Sequence, residues 1–394
     1  MSKQVLIAGG GIGGLAAALA CSRAGWQVHL FERASEFGEV GAGIQMGPNV
    51  VRVLNGWDLA DGLAAVAAFP ERLQVRNAVS GDELGVLRLG ATAVQRYGAR
   101  YATIHRADLL QLLLQGVQQR EEVKLELRKT VDSYAETPEA VVLRTSDGLE
   151  LQGDALIGAD GLWSRVREQM LKDDAPRVTG HLAYRAMVSQ GSLPQHLRSQ
   201  QITAWLGPKL HVVQYPVRGG EWLNVVAIVQ GQAPADLQNW DHSGNAAELR
   251  AAMAGTCGPL QALIEAVPEW RLWALCDRAP MRGAHEQAQG RVALLGDAAH
   301  PMRPYLAQGA GMAIEDAAEL GKVLAQAVGP ACDVGSLLNS YARNRWQRNA
   351  RVQARSTRNG EIFHLAGPAR VGRDAALRLL GERLLDLPWL YGGP

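Results

Sequence analysis

The run Gly9-Gly10-Gly11-Ile12-Gly13-Gly14 constrains this chain more than any other feature. It follows a short apolar strand, Gln4 to Ala8, and opens an Ala-rich helix, Leu15 to Ala24, stopped by Gly25. A second apolar strand, Gln27 to Phe31, ends at Glu32. The two strands and the helix make a β-α-β unit, whose strands must be parallel and joined by a right-handed crossover. The glycines satisfy G-x-G-x-x-G at Gly9, Gly11 and Gly14. The first allows a tight turn, the second lets backbone approach a pyrophosphate, and the third lets helix and strand pack closely. The helix N-terminus beyond them offers unpaired N–H groups to an anion. Glu32, 23 positions after Gly9, is placed to accept both ribose hydroxyls and would repel a 2′-phosphate. FAD or NAD is therefore favoured over NADP at this site, and the fingerprint alone does not separate the two.

Two further acidic turns follow strands. Asp160-Gly161 succeeds the strand Ala155 to Gly158, and Gly296-Asp297 succeeds the strand Arg291 to Leu295. Carboxylates at strand C-termini face the ligand crevice of an open α/β sheet. Asp297 is placed to hold a sugar-like hydroxyl. The helix beginning near Gly309 and Ala310 can turn its positive end toward a flavin pyrimidine edge.

The rest of the chain bounds the problem. It has 394 residues, 47% of them hydrophobic, enough for a large core in one or two domains. Forty basic against 39 acidic side chains argue against nucleic acid as a partner. Four cysteines without CxxC or Cys/His spacing predict neither a metal site nor a disulfide framework, with a reducing cytoplasm as the compartment. The uncharged stretch Val5 to Ser22 is long enough to suggest a membrane span, but its five glycines weaken an insertion helix. The spacing also predicts a helix from Arg106 to Gln119, a helix cap at Asn49, and meander strands at Val123 to Leu127 and Ala140 to Thr145. Strand-like segments between about 178 and 282 predict an inserted sheet. An arginine row at Arg348, Arg351, Arg355 and Arg358 marks one helix face, most simply a solvated or subunit-facing one.

With these three motifs in order, the chain resembles the single-component flavin-dependent aromatic hydroxylases of the para-hydroxybenzoate hydroxylase type. It is most similar to salicylate hydroxylases, 3-hydroxybenzoate 6-hydroxylases and 6-hydroxynicotinate 3-monooxygenases. The stretches Val40 to Asn49, His105 to Leu109, Pro304 to Asp316 and Trp389 to Tyr391 carry that likeness. The resemblance implies an α/β fold, with a Rossmann-type, glutathione-reductase-like FAD-binding domain, an inserted β-sheet substrate domain and a helical C-terminus. The FAD-binding domain is expected over 1–75, 101–177 and 283–350, the substrate domain over 76–100 and 178–282, and the helical segment over 351–394. FAD contacts are expected from Gly9, Gly11, Gly14, Glu32, Arg33, Val40, Gly41, Arg106, Asp160, Asp297, Gly309 and Ala310. NADH or NADPH is implied as a transient co-substrate, because no second fingerprint is present. Dioxygen completes the set, and the partner is a small aromatic acid, with a homodimer left open.

The chemistry implied is hydride transfer to FAD, oxygen addition at flavin C4a, and transfer of OH⁺ from the hydroperoxide to an electron-rich ring. A phenol of pKa near 10 resists ionisation at pH 7 by about 3 units, roughly 4 kcal/mol, so the ring needs a positioned base. His211 and Tyr215, four residues apart on one strand, point to the same face. A His-x-x-x-Tyr pair contacts substrate in the similar enzymes. Tyr305 completes the catalytic candidates, with Gln45 and Pro304 lining the substrate. The 3-hydroxybenzoate 6-hydroxylases carry Gln where this chain has Pro304, and salicylate hydroxylases usually carry Phe where it has Tyr305. The substrate therefore stays open among hydroxylated aromatic carboxylates. The alternatives are a flavin oxidase or dehydrogenase without external nicotinamide, and a non-catalytic dinucleotide-fold binding protein.

Overall fold

The computed structural model describes residues 3–38, 42–237, 242–327, 329 and 332–393. The chain divides into two compact units, each assembled from three stretches. The first takes 1–39, 109–177 and 277–356, and the second takes 40–108, 178–276 and 357–394. Compactness thus groups 40–75, 101–108 and most of the C-terminal segment with the sheet-rich unit. The motif order places 40–75 and 101–108 with the nucleotide-binding part.

The first unit is built on a six-stranded sheet. Its spatial order is Ala288–Gln289, Val292–Leu294, Ala155–Gly158, β1 (Gln4–Ala8), β2 (Gln27–Phe31) and Val123–Glu126. All neighbours are parallel except the first pair. Val123–Glu126 is therefore not a meander strand, as its spacing suggests, but the parallel edge strand beside β2. An edge strand is wetted, so its alternation of apolar and charged residues looks like that of an antiparallel ribbon. The true meander is Val131–Glu136, Val141–Thr145 and Glu150–Gly153. It covers one sheet face through Val131, Val141 and Leu143, which pack with Leu6, Ala8, Phe31, Leu156 and Leu294. Helix α1 (Ile12–Arg23) is buried on nearly every side. Its alanines admit the helix Gly309–Leu324 so closely that a Cβ on Gly321 would lie 2.9 Å from the Ala20 carbonyl oxygen.

The second unit holds an eight-stranded mixed sheet. The order is His242–Ser243, Arg271–Asp277, Arg177–Ser189, Trp222–Gln230, Leu210–Val217, Ile202–Gly207, Arg72–Asn77 and Glu83–Arg88. Val212, Leu223, Val225 and Ala227 form its core with Leu249, Met253, Leu260, Leu263 and Ile264 from the helices Ala246–Met253 and Gly258–Ala266. Side chains alternate along a strand, so His211, Tyr215 and Asn224 lie on the face opposite that core. The expected cap at Asn49 moves to Gly47. The helix is Pro48–Gly56, because Pro at N1 loses no hydrogen bond and presets the helical φ. Among the described residues no helix is long and apolar enough to cross a membrane.

Candidate functional site

The glycine fingerprint forms the turn its spacing requires. Gly9 adopts φ +102°, and a Cβ there would lie 2.4 Å from the Ala159 carbonyl oxygen. A Cβ on Gly14 would lie 1.9 Å from the Gly9 carbonyl oxygen. Gly11 caps α1 without a side-chain hydrogen bond, so the first-turn N–H groups of this helix are not capped by their N-cap side chain. Glu32 accepts from the Gly10 N–H at 2.6 Å through Oε2 and from the Ala34 N–H at 2.8 Å through Oε1. Its carboxylate therefore fixes the glycine turn from the end of β2. Arg33 next to it is exposed.

Asp160 follows the strand Ala155–Gly158 and is engaged locally. It accepts from the Ser164 hydroxyl at 2.5 Å and from the Arg165 and Val166 N–H groups at 2.9 and 3.3 Å. Ser164 in turn accepts from the Arg167 N–H at 2.9 Å. The pair caps the helix Arg165–Leu171. Burial raises the Asp160 carboxyl above its ordinary value, against those hydrogen bonds. Asp160→Ala is expected to cost about 1–2 kcal/mol by stripping this cap. Urea unfolding of Asp160→Ala beside Asp160→Asn, which keeps an acceptor, checks it.

Asp297 is exposed in the turn Gly296–Ala298, after the strand Val292–Leu294. Its Oδ1 lies 3.9 Å from where a Gly309 Cβ would be, at the start of the helix Gly309–Leu324. That helix, with Ala310 in its first turn, also lacks a side-chain N-cap bond. Two helix N-termini without side-chain caps, with the strand-end carboxylates Glu32 and Asp297 in the same unit, are a donor and acceptor set suited to a pyrophosphate and sugar hydroxyls. These residues fit FAD. Deeper in the unit, His300 contacts Asp316 at 2.5 Å, and Asp316 accepts from Arg345 Nε at 2.7 Å and from Asn349 at 2.9 Å. Arg345 also pairs with Glu315 at 3.0 Å. Arg348, first of the arginine row, forks onto Glu315 at 2.6 and 2.7 Å, so that end of the row is structural. Pro304 and Tyr305 open a short 3-10 turn that closes at Ala307 in a left-handed conformation. Pro304 is exposed and Tyr305 buried, and burial pushes the Tyr305 hydroxyl pKa upward.

The second unit carries the other candidates. His211 and Tyr215 are both buried on the strand Leu210–Val217, on one face as their spacing predicts. Burial, then the nearby His364 and His181 rings, pushes His211 well below the ordinary imidazole value. Burial pushes the Tyr215 hydroxyl up. The strand Gly43–Met46, paired with Ala102–His105, lies against this face. Gly43 must be glycine, because a Cβ would lie 2.6 Å from the Tyr215 ring. Its N–H donates to Asn224 Oδ1 at 2.7 Å. Gln45, next on the same side of that strand, accepts from the Tyr101 hydroxyl at 2.9 Å. Tyr391 sits edge-on to Tyr101 at 6.0 Å. Arg106 begins the helix Arg106–Gln118 and its N–H donates to the Ala42 carbonyl at 2.8 Å. Val40 and Gly41 lie outside the described residues.

No motif or spacing in the sequence singles out Asn224, Tyr101 or His364. Asn224 is fully buried, and its Nδ2 has no hydrogen-bond partner among the described residues. Its opposite, Tyr215, marks it only once the register Tyr215↔Asn224 is known. Among the described residues no group of three or more His, Cys, Asp or Glu is arranged to hold a metal ion.

The model of the FAD binding domain family matches residues 2–356. A 3-hydroxybenzoate 6-hydroxylase of Polaromonas naphthalenivorans is 38% identical over 98% of this chain and 95% of its own length. A 6-hydroxynicotinate 3-monooxygenase of Bordetella bronchiseptica is 36% identical over 89% of each chain. Among solved structures, a salicylate hydroxylase substrate complex superposes with a TM-score of 0.83 at 29% identity, covering 99% of this chain and 95% of that one.

Proposed function

Because the chain belongs to the FAD binding domain family and is a flavoprotein aromatic monooxygenase, we propose that it hydroxylates a small aromatic acid bearing a ring hydroxyl, at the expense of NAD(P)H and dioxygen. The three relatives above are named for a hydroxybenzoate, a hydroxynicotinate and salicylate. Each name describes a ring carrying both a hydroxyl and a carboxylate, and that shared chemistry supports the substrate class. The single observation that carries the reading is a buried imidazole, His211, four residues from Tyr215 on one strand face.

FAD, when bound, would supply the redox chemistry that links nicotinamide oxidation to oxygen activation. The chain's own residues do the rest. Gly9, Gly11 and Gly14 bring backbone to the pyrophosphate, and Glu32 and Asp297 take the sugar hydroxyls. Asp160 shapes its loop, and the N-terminus at Gly309 and Ala310 would offer its N–H groups to the flavin. Arg33, Val40, Gly41 and Arg106 carry over from the resemblance as further FAD contacts. His211 takes the proton of the ring hydroxyl, and Tyr215 orients the ring beside it. Gln45, Pro304 and Tyr305 carry over as further ring contacts. The relatives named for different regiochemistries leave decarboxylation as the second reading. Product mass separates the two, since loss of CO2 marks it.

Replacing His211 by Ala is expected to lower the hydroxylation rate by about 10²-fold or more while leaving FAD content near wild type. Absorbance of the bound flavin and coupled NADH and oxygen uptake measure the two together. Equal loss of both would remove the base role. A base held below the ordinary imidazole value is deprotonated at neutral pH. The acid limb of the rate profile is therefore expected below pH 6.5, with activity falling as pH drops through it.

A further inference from the structure

A cavity of about 500 Å³ opens in the second unit. Its lining residues include neither His211 nor Tyr215 nor Gln45. Its apolar wall is Ala67, Ala68 and Pro216, all buried. Thr103 fixes that wall. Its backbone exchanges two 2.8 Å hydrogen bonds with Ala68, and its hydroxyl donates to the Pro216 carbonyl at 2.5 Å. Neighbouring side chains leave a strand on opposite sides. A ring against Pro216 therefore does not contend with one beside Tyr215.

The polar wall leaves hydrogen-bonding capacity unspent. The Arg100 guanidinium sits over the Phe69 ring, 4.1 Å from its centre. Arg100 is exposed and, among the described residues, forms no ion pair. Arg72, which also lines the cavity, places Nη2 on Glu83 at 2.6 Å. Its Nε is buried without a hydrogen-bond partner among the described residues, and so is the amide oxygen of Gln201, a third lining residue. Glu71, an acid of this wall, has its carboxylate against Gly90, where a Cβ would stand 1.8 Å from Oε2. Arg72 is already charge-paired, so Arg100 is the cation left for an anion. Buried polar atoms are ordinarily satisfied, and spare donors and acceptors on the residues around one cavity point to a ligand.

We propose that this cavity is a second binding site for a small aromatic carboxylate, besides the place of the reacting ring. Arg100 takes the carboxylate with its fork of N–H groups. Phe69 holds the guanidinium over its ring before the ligand arrives, which lowers the ordering cost of binding. The ligand ring lies on Ala67, Ala68 and Pro216, and Gln201 offers an acceptor to a ring hydroxyl. A benzene ring fills a cavity of about 150 Å³, so there is room for the ring, its substituents and ordered water. The choice of an aromatic acid over other organic anions rests on the substrate reading above.

The test is equilibrium dialysis of labelled 3-hydroxybenzoate against the FAD-loaded enzyme without NAD(P)H, so that nothing is turned over. The wild type is expected to hold two equivalents per chain. Arg100→Met is expected to keep one and to weaken the other at least about tenfold, the loss of a charge-assisted hydrogen bond. FAD content and the urea midpoint should stay near wild type. Phe69→Leu takes the ring from beneath Arg100 and should weaken the same site about two- to fivefold.

Two equivalents of unchanged affinity in Arg100→Met would overturn the proposal. So would a wild type that binds none, or a single equivalent that Arg100→Met keeps. If Arg100→Met does not hold FAD, Arg100→Lys decides. Lysine keeps the charge and loses the planar fork, and an unchanged second affinity there overturns the proposal. These failures leave the hydroxylase reading standing. The converse result is a site lost in Arg100→Met in a wild type that hydroxylates no hydroxybenzoate or hydroxypyridine carboxylate. There the cavity site stands and the substrate reading goes.

Discussion

Gly14→Ala is expected to give a chain that purifies nearly colourless. The added Cβ would stand 1.9 Å from the Gly9 carbonyl oxygen; the Cβ is fixed to its Cα and the oxygen is backbone, so neither can swing aside. The start of α1 must shift away from β1, and the N–H groups offered to the pyrophosphate shift with it. Overpacking of this kind costs about 1–3 kcal/mol, roughly 5- to 150-fold in FAD affinity if the loss falls on the bound state. FAD titration into the apoprotein, followed by flavin fluorescence quenching, measures it. Gly25→Ala is the control. Gly25, unlike Gly14, has a positive φ, +84°, but a Cβ there meets nothing, so stability should drop by about 1 kcal/mol with FAD binding kept. A Gly14→Ala protein as yellow as the wild type would show that close approach at this turn does not govern binding.

Arg345→Met is expected to be the most destabilising change away from the glycine turn. Arg345 is fully buried between Asp316 and Glu315. Arg348 still holds Glu315 in the variant, so the loss concentrates on Asp316. Removing one partner of a buried ion pair costs about 3–5 kcal/mol, because the other charge is left uncompensated. A urea midpoint shift equivalent to less than about 1 kcal/mol would contradict this account.

The same network sets an acid limit. Burial alone would raise the Asp316 carboxyl, but the His300 and Arg345 charges and the Asn349 bond prevail and hold it at about 2, against an ordinary 3.8. Its contribution is therefore complete above pH 4 and is lost as pH falls through about 2. The stake is about 2 kcal/mol, and Arg345→Met should flatten that part of the stability–pH curve.

The nucleotide half of the molecule was readable because its signals are local. A strand, five glycines and an acid within some thirty residues describe one turn, and Glu32 and Asp160 stand at strand ends as expected. The sequence is silent or misleading where the deciding partner is remote. Val123–Glu126 reads as an antiparallel strand until β2 is seen beside it. Arg345 looks like one more member of an arginine-rich helix, and nothing near it announces the Glu315-Asp316 pair buried against it. The spacing to Tyr215 draws His211 out of the sequence as a candidate. Nothing draws out His364, because a hydrogen bond across 153 residues leaves no periodicity to read. Asn49 is a different case: it is a favourable cap residue, but Pro48 beside it is the stronger signal for a helix start.

Both compact bodies are threaded from three separated stretches of chain. The parallel pairing of Ile202–Gly207 with Arg72–Asn77 joins strands well over a hundred residues apart. Such high contact order makes folding slow. On the ribosome, neither body can close until its last stretch has been made, near residue 356 for the first and beyond it for the second. The nascent chain therefore spends most of its synthesis with sheet edges unpaired, the interval in which a chaperone would matter most.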